Sequence, residues 1–331
     1  MANHHDTGYK ELFSYPELVQ QLIEGFAPPE IARIMDFSTL QLHSGNYITP
    51  LFEEKFEDLV WSVSINWQGK QQQVYLYLLL EFQSSIDNSM PIRLMHYVAC
   101  FYDHLLKNKT TTPSQGLPPV FPIVLYNGLQ RWSAKQDIYE LVTPEPPAFL
   151  KAYQPHLRYY LIDEGAYTDE ELQQKQSALS GVFSIEKAST SRENLQQAVN
   201  RIVAIIKSDP HKERLDRVIT RWLKRHLQRL DAAVDLKQLN SLVEDNEMLA
   251  ENLQHWAEKE RMTGEQIGLQ KGEKLGIQKG LQKGEKLGLQ KGKKEMVISL
   301  IALGSMPDEQ IAKVSGFSLE EIAALRKDGS H

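Results

Sequence analysis

Residues 58–67 read DLVWSVSINW, and residues 73–84 read QVYLYLLLEFQS. In the first stretch, Leu59, Trp61 and Val63 occupy every second position, which is the period of a β-strand. The middle of the second stretch is apolar at consecutive positions, as is typical of a strand that is buried on both faces. Gly69 lies between them and marks a turn. The two stretches therefore predict a β-hairpin.

The sequence around this hairpin alternates between helical and strand patterns. Pro16 begins a helix that Pro28-Pro29 ends. Pro122 gives the strand that contains it an edge position or an irregular start. The predicted helices are Thr7–Phe13, Pro16–Phe26 and Pro91–Lys107, and the further strands are Val120–Tyr126 and Leu157–Ile162. This order of elements indicates an α/β fold.

The composition excludes several classes of protein. The 331 residues carry 37 Lys and Arg against 43 Asp and Glu, a formal net charge of −6, which argues against a wholly basic nucleic-acid coat protein. A single cysteine, Cys100, excludes an internal disulfide framework and a zinc cluster built on several cysteines. No run approaches the roughly 20 apolar residues that span a bilayer, and Met1–His5 lacks the apolar core of a signal peptide. We therefore expect a soluble, cytoplasmic protein.

The chain divides into four segments of different character. Residues 1–169 contain every predicted strand, and we interpret them as the α/β domain. Residues 170–263 are helical and locally basic. Residues 264–294 contain a glycine at every fourth position from Gly264 to Gly292, and residues 295–331 predict a short helical hairpin.

Two carboxylates are candidates for a metal site. Asp58 opens the first hairpin strand and Glu81 lies near the end of the second, so pairing of the strands can bring both to one end of the sheet. Carboxylate oxygens are ligands for a hard cation such as Mg²⁺, and Mn²⁺ is an alternative. Such an ion could neutralise a phosphodiester and help to generate hydroxide. In the alternative interpretation, both acids are solvated strand ends.

Four motifs in order along the chain resemble the Rpn family of recombination-promoting nucleases, also labelled YhgA-like transposases. They are HDTGYKELF at residues 5–13, EDLVW at 57–61, LLLEFQSS at 78–85 and PPVFPIVLYNG at 118–128. The resemblance implies the PD-(D/E)XK nuclease fold, a mixed sheet flanked by helices, here followed by a helical C-terminal region. It also implies a metal-dependent DNA endonuclease that promotes recombination or mobile-element movement.

The resemblance assigns roles to three residues. Asp58 matches the metal-binding aspartate, and Glu81 matches the second acidic ligand. Gln83 matches a position that the wider superfamily usually fills with lysine, although glutamine is similar to what the Rpn family has there. A lysine would stabilise the attacking hydroxide, whereas glutamine can only orient water by hydrogen bonds.

Three further charges of the first two helices are candidates for the same site. Lys10 could supply a positive charge, and Asp6 or Glu24 could supply another carboxylate. Each of them is alternatively an exposed helix charge.

Two C-terminal stretches are candidates for DNA binding. Residues 212–229 predict a helix with one apolar and one basic face, and the basic face could contact phosphates or be merely solvated. Its cations are Arg214, Arg217, Arg221, Lys224 and Arg225. In residues 308–325, Ala312, Gly316 and Ile322 have the relative spacing of a helix-turn-helix. Glu320 and Glu321 would repel phosphates there, so we interpret this stretch as a helical hairpin that serves for docking.

The glycine period leaves two interpretations open. Eight helical glycines each cost roughly 0.5–1 kcal/mol relative to alanine, so an isolated helix should be weak unless a partner packs against it. The segment is therefore either a helix that associates with a second copy, giving a homo-oligomer, or a flexible linker. The alternative to nuclease function is a non-catalytic DNA-binding or transposition accessory protein that keeps the nuclease fold.

Overall fold

The computed structural model describes residues 3–43, 59–81, 86–128, 130–188, 192–230 and 236–328. The strands are β1 (Met35–His43), β2 (Leu59–Trp67), β3 (Lys70–Glu81), β4 (Val120–Tyr126) and β5 (Tyr160–Asp163). The helices are α1 (Asn3–Leu12), α2 (Pro16–Phe26), α3 (Pro29–Ala32), α4 (Met90–Lys107), α5 (Ala148–Lys151), α6 (Asp169–Lys175), α7 (Ala178–Ala188), α8 (Arg192–Ser208), α9 (Lys212–Arg229), α10 (Asn246–Leu303), α11 (Asp308–Ser315) and α12 (Leu319–Asp328). Contacts divide the chain into two compact units, residues 1–257 and 258–331.

The five strands form one mixed sheet in the order β1-β2-β3-β4-β5. β1, β2 and β3 are antiparallel, whereas β3, β4 and β5 are parallel. The predicted hairpin is confirmed: Trp67 pairs with Lys70, and the turn residues Gln68 and Gly69 have φ values of 51° and 72°. The α/β class, the mixed sheet and the helical C-terminal region are therefore as predicted.

Two details of the sheet, the presence of β1 and the bounds of β5, differ from the prediction. β1, the first strand along the chain, lies at one edge of the sheet and was not predicted. β4, for which Pro122 predicted an edge position or an irregular start, lies between β3 and β5, and β5 pairs only from Ile123 onward. Pro122, the third residue of β4, therefore lies where the side towards β5 is still unpaired, which confirms the irregular start and not the edge position. The last strand is Tyr160–Asp163 and not Leu157–Ile162.

The two faces of the sheet pack into separate apolar clusters. On one face, Leu59, Trp61, Val63 and Ile65 are buried, as their alternation predicts, and they share a core with α1, α2 and the helices α7 to α9. Trp67 is 52% exposed because it lies at the turn of the hairpin. The other face packs on α4, with Val60 among its buried residues. The helical segment after residue 169 thus completes the core of the sheet.

The glycine-periodic segment is helical throughout and belongs to α10. A Cβ atom added at any of its eight glycines would meet no atom within 4 Å in the described chain. Apolar side chains beside them, such as Leu269 and Leu281, are 74% and 69% exposed. The segment thus has the helical conformation of the first interpretation, while self-association and the homo-oligomer stay predictions.

The chain end folds into the expected small helical hairpin. Val297, Ile311 and Ile322 form its buried centre. Gly316 ends α11 with a φ of 74°, a conformation that favours glycine. Among the described helices, none is long and apolar enough to cross a membrane. The segment boundaries at residues 169, 263 and 294 stay predictions.

Candidate active site at the carboxyl edge of the sheet

The carboxyl ends of three parallel strands align in one row. Glu81 is the last residue of β3, and its Cα partner in the ladder is Tyr126, the last residue of β4. Tyr126 in turn pairs with Asp163, the last residue of β5. Ligands of open α/β sheets bind outside the carboxyl ends of the strands. The backbone therefore places Glu81 where such a fold commonly has its active site.

The start of β2 comes to the same part of the sheet. Leu59, which follows Asp58 in the sequence, pairs with Leu78, three residues before Glu81. Asp58 and Gln83 lie outside the described residues, and for Glu81 the backbone alone is described. The described part of the chain contains no group of three His, Cys, Asp or Glu residues that could hold a metal ion. The assignment of Asp58 and Glu81 as metal ligands, and of Gln83 as the third site residue, stays a prediction.

Tyr126, beside Glu81 in the ladder, is fully buried by local packing. Its ring lies 4.8 Å from that of Trp132, centroid to centroid, at an angle of 67°. A Cβ atom at Gly128 would be 2.0 Å from the Tyr126 hydroxyl oxygen, so only glycine fits at this position. The close approach of Gly128 thus confines the tyrosine ring at the end of β4.

Asp163 is a carboxylate at this edge that the sequence analysis missed. Its Oδ2 atom accepts a hydrogen bond of 3.3 Å from the backbone N–H of Trp132. Its Oδ1 atom is buried and has no hydrogen-bond partner among the described residues. The signal available in the sequence was the position of this residue at the end of an apolar strand.

Glu164, the next residue, lies in a buried polar cluster with α1. Tyr9 donates a hydrogen bond of 3.0 Å to Glu164 Oε2, and the two side chains are 1% and 6% exposed. Burial raises the pKa of Glu164 well above its ordinary value, and the nearby Glu186 raises it further. The Tyr9 pKa is also raised, first by burial and then by Glu164. The contact fixes α1 against the end of β5, although 155 residues separate the two partners.

The other charges proposed from the first two helices have different surroundings. Lys10 follows Tyr9 on α1 and is half-buried. Glu24 is exposed on α2, where its Oε1 accepts a hydrogen bond of 3.0 Å from Gln20. Asp6 lies in the backbone of α1, and its side chain is outside the described part. The roles of Lys10, Asp6 and Glu24 in the site stay predictions.

The basic helix α9 packs against the acidic residues of α1 and α2. Its apolar residues Leu215, Ile219, Trp222 and Leu223 are buried, as predicted. Arg214 contacts Glu17 at 2.5 Å, Arg221 contacts Glu11 at 2.8 Å, and Arg225 also pairs with Glu11.

The five cations proposed for DNA contact therefore differ in their surroundings. Arg217 is exposed and Lys224 is half-buried, and in the described chain neither has an ion-pair partner. Arg214, Arg221 and Arg225 have carboxylate partners, but their side chains remain 54%, 45% and 40% exposed. Contact of these five residues with DNA stays a prediction.

A comparison with known families covers the sheet and the first part of α9. The family described as "Putative transposase, YhgA-like" matches residues 3–217, well over half of the chain. The chain belongs to this family. The matched range includes Asp58, Glu81, Gln83 and Asp163, and it ends within α9 at Arg217.

Several curated relatives from Escherichia coli strain K12 carry the Rpn name. Recombination-promoting nuclease RpnA is 29% identical over 127 residues, 38% of this chain and 40% of RpnA. Recombination-promoting nuclease RpnC is 31% identical over 125 residues, 38% of this chain and 39% of RpnC. The "inactive recombination-promoting nuclease-like protein RpnE" is 23% identical over 268 residues, 81% of this chain and 85% of RpnE. The match thus spans about two fifths of the length of RpnA and RpnC, and no solved structure matches the chain.

Proposed function

We propose that this member of the YhgA-like family is a metal-dependent DNA endonuclease. The observation that carries the proposal is the position of Glu81, the last residue of a central strand at the carboxyl edge of a mixed sheet. Relatives that match part of the chain are named recombination-promoting nucleases, which supports phosphodiester hydrolysis in recombination or mobile-element movement.

The donor set of the proposed site suits a hard divalent cation. Asp58 and Glu81 would hold Mg²⁺, or Mn²⁺, because carboxylate oxygens are the ligands these ions prefer. When bound, the ion would supply positive charge for the scissile phosphate and acidify a water molecule.

The remaining residues would position the reactants. Gln83 would orient the attacking water through its amide, since glutamine offers hydrogen bonds but no charge. Lys10 would supply a cation from α1, and its helix is anchored to the end of β5 by the Tyr9–Glu164 hydrogen bond. The exposed cations of α9, such as Arg217, would contact phosphates of the DNA backbone.

Plasmid nicking in Mg²⁺, with and without EDTA, tests the proposal. We expect the parent protein to nick supercoiled DNA and to lose this activity in EDTA. Asp58→Ala and Glu81→Ala should abolish nicking, whereas the matched control Asp103→Asn should not, because Asp103 is exposed on α4 and pairs with Lys107. Circular dichroism checks that each variant is folded. Nicking at the parent rate by both alanine variants would reject the site.

A second function is favoured by a relative that matches four fifths of the chain. RpnE covers 81% of this chain and is named inactive. A non-catalytic DNA-binding or transposition accessory protein would retard DNA in a gel without cutting it, and Asp58→Ala would leave that binding intact. Failure to bind DNA at low salt would contradict both functions.

A further inference from the structure

The glycine-periodic segment of α10 is strongly basic, and the proposed nuclease site does not use it. Residues 264–294 contain eight lysines against three glutamates, a net charge of +5, whereas the whole chain has −6. The lysines are Lys271, Lys274, Lys279, Lys283, Lys286, Lys291, Lys293 and Lys294. We propose that these lysines bind the phosphate backbone of double-stranded DNA. The inference goes beyond the proposed function, because it concerns binding by a second element and needs neither the metal nor cleavage.

The positive charge belongs to a sequence repeat. Residues 268–279 read GLQKGEKLGIQK and residues 280–291 read GLQKGEKLGLQK, so the two copies differ at one position. Each copy contains three lysines and one glutamate. Charges on a helix pair when they are three or four residues apart, and neither Glu273 nor Glu285 has a lysine at those distances. The repeat therefore leaves its lysines without a partner on the same helix.

The structure supports this interpretation. All eight lysines are exposed. The ion pairs of lysine that the described chain contains lie elsewhere, at Lys107, Lys135, Lys151 and Lys187. Lys283 has Lys279 four residues before it and Lys286 three residues after it, and like charges at these spacings destabilise a helix. A bound polyanion would relieve this repulsion.

The basic helix α9 differs in this respect. Three of its arginines already pair with carboxylates of α1 and α2, namely Arg214, Arg221 and Arg225. A phosphate that approaches those arginines competes with an internal anion, whereas one that approaches the lysines of α10 meets no such competitor in the described chain. The charge of α10 is therefore more fully available to a polyanion.

The dimensions of the helix suit DNA. From Lys271 to Lys294 it rises by about 35 Å, at roughly 1.5 Å per residue. One turn of B-DNA has nearly the same length and carries a phosphate charge for about every 1.7 Å of its axis. Lysine is a point charge on a flexible stem, so lysines spread around the helix can reach phosphates on both sides of a groove.

DNA fits this surface better than two other occupants. A second copy would bring a further charge of +5 against the first, whereas DNA neutralises it. An anionic membrane would attract the lysines, but a helix that lies on a membrane needs one apolar face. Leu275 and Ile277 are two residues apart and point to opposite sides of the helix, as do Leu287 and Leu289. The apolar residues thus form no single face.

The test is fluorescence anisotropy of the full chain with a labelled duplex of about 30 base pairs, in EDTA so that no metal-dependent cleavage occurs. The affinity is measured over a range of salt concentrations. The test variant replaces Lys283, Lys286 and Lys291 by glutamine, which has nearly the helix propensity of lysine. The slope of the logarithm of the affinity against the logarithm of the salt concentration should fall by about 0.9 for each lost phosphate contact, or about two to three in total. At about 0.1 M salt the affinity should fall at least tenfold.

Three controls separate this contact from other effects. Arginine at the same three positions keeps the charge and should keep the slope. Glutamine at Lys70, Lys107 and Lys109 removes three exposed lysines of residues 1–257 and should leave the slope unchanged. Glu81→Ala should bind DNA with the parent slope, so failure of the nuclease proposal is separable from failure of this inference.

Four results would overturn the inference. The first is an unchanged slope in the α10 glutamine variant, and the second is an equal fall in the variant of residues 1–257. Light scattering that shows a changed oligomeric mass of the α10 variant, at unchanged DNA affinity, would identify a second copy as the occupant. Binding to phosphatidylglycerol vesicles, without binding to the duplex, would identify a membrane.

Discussion

Replacement of Gly181 by alanine tests how closely α7 and α8 are packed. The added Cβ atom would lie 2.7 Å from Ile202 Cγ1 and 3.0 Å from Ile202 Cβ and Cδ1. Real Cβ contacts are longer than this, so one helix must shift or Ile202 must leave its rotamer. We expect Gly181→Ala to destabilise the unit formed by residues 1–257.

The magnitude follows from two opposing effects. Overpacking of a close-packed core costs typically 1–3 kcal/mol. Alanine in a helix gains about 1 kcal/mol over glycine. The net loss is then about 1 kcal/mol, which corresponds to a fall in Tm of roughly 2–4 °C for a unit of this size.

Urea unfolding followed by tryptophan fluorescence measures this loss. All five tryptophans lie in residues 1–257, so the signal reports this unit alone. Gly25→Ala in α2 is the matched control: its Cβ would meet Lys175 Cδ only at 3.9 Å, so the change should stabilise by about 0.4–1 kcal/mol.

A double-mutant cycle isolates the contact. Ile202→Ala alone should cost about 2–5 kcal/mol, because it leaves a cavity. In that background Gly181→Ala should cost clearly less, because Ile202 Cγ1 and Cδ1 are gone and only the contact with the Cβ atom at 3.0 Å is left. The same cost in both backgrounds would refute the steric explanation.

Three other variants test separate features. Burial raises the pKa of the Glu164 carboxyl in the folded protein. The free energy of unfolding of the parent should therefore fall as the pH rises from about 4.5 through the pKa of the folded state, and Glu164→Gln tests this. Glutamine still accepts a hydrogen bond from Tyr9 but cannot ionise. The free energy of unfolding of the variant should therefore rise relative to that of the parent between pH 5 and pH 8. A constant difference between the two over this range would contradict the explanation. A Cβ atom at Gly276 in α10 would meet no atom within 4 Å in the described chain. Gly276→Ala should therefore stabilise the helix by about 1 kcal/mol and raise the helicity measured by circular dichroism. A lower helicity would indicate that another chain packs at this position. Arg217→Gln should weaken DNA binding measured by fluorescence anisotropy. The slope of the logarithm of the affinity against the logarithm of the salt concentration should fall by about one phosphate contact. An unchanged slope would exclude Arg217 from the interface.

Local patterns predicted the elements whose signals are periodic. The β2–β3 hairpin follows from strand period and Gly69, and α2 begins at Pro16 and ends at Phe26 as its prolines predict. β1 gave no such signal because it is a partly exposed edge strand, with an irregular register between Asp36 and Gln41. An edge strand needs no continuous apolar side, so its sequence resembles that of a loop.

The site was predictable only where it is local in sequence. The acidic residue at the end of β3 was visible because Glu81 interrupts an apolar strand. The Tyr9–Glu164 pair and the Arg225–Glu11 pair were not visible, because 155 and 214 residues separate the partners. Contacts of this kind depend on how helices pack on the sheet, and neither period nor spacing encodes that.

The docking of α9 on Glu11 has a consequence for any polyanion that approaches this helix. Arg221 and Arg225 both pair with the Glu11 carboxylate, and Glu11 follows Lys10 on α1. A phosphate that approached either guanidinium would compete with this carboxylate, and the competition would lower the apparent affinity of the helix for a polyanion. By reciprocity, a ligand that displaced Glu11 would also weaken the contact between α9 and α1. The N-terminal helix is thereby linked energetically to occupancy of the basic one.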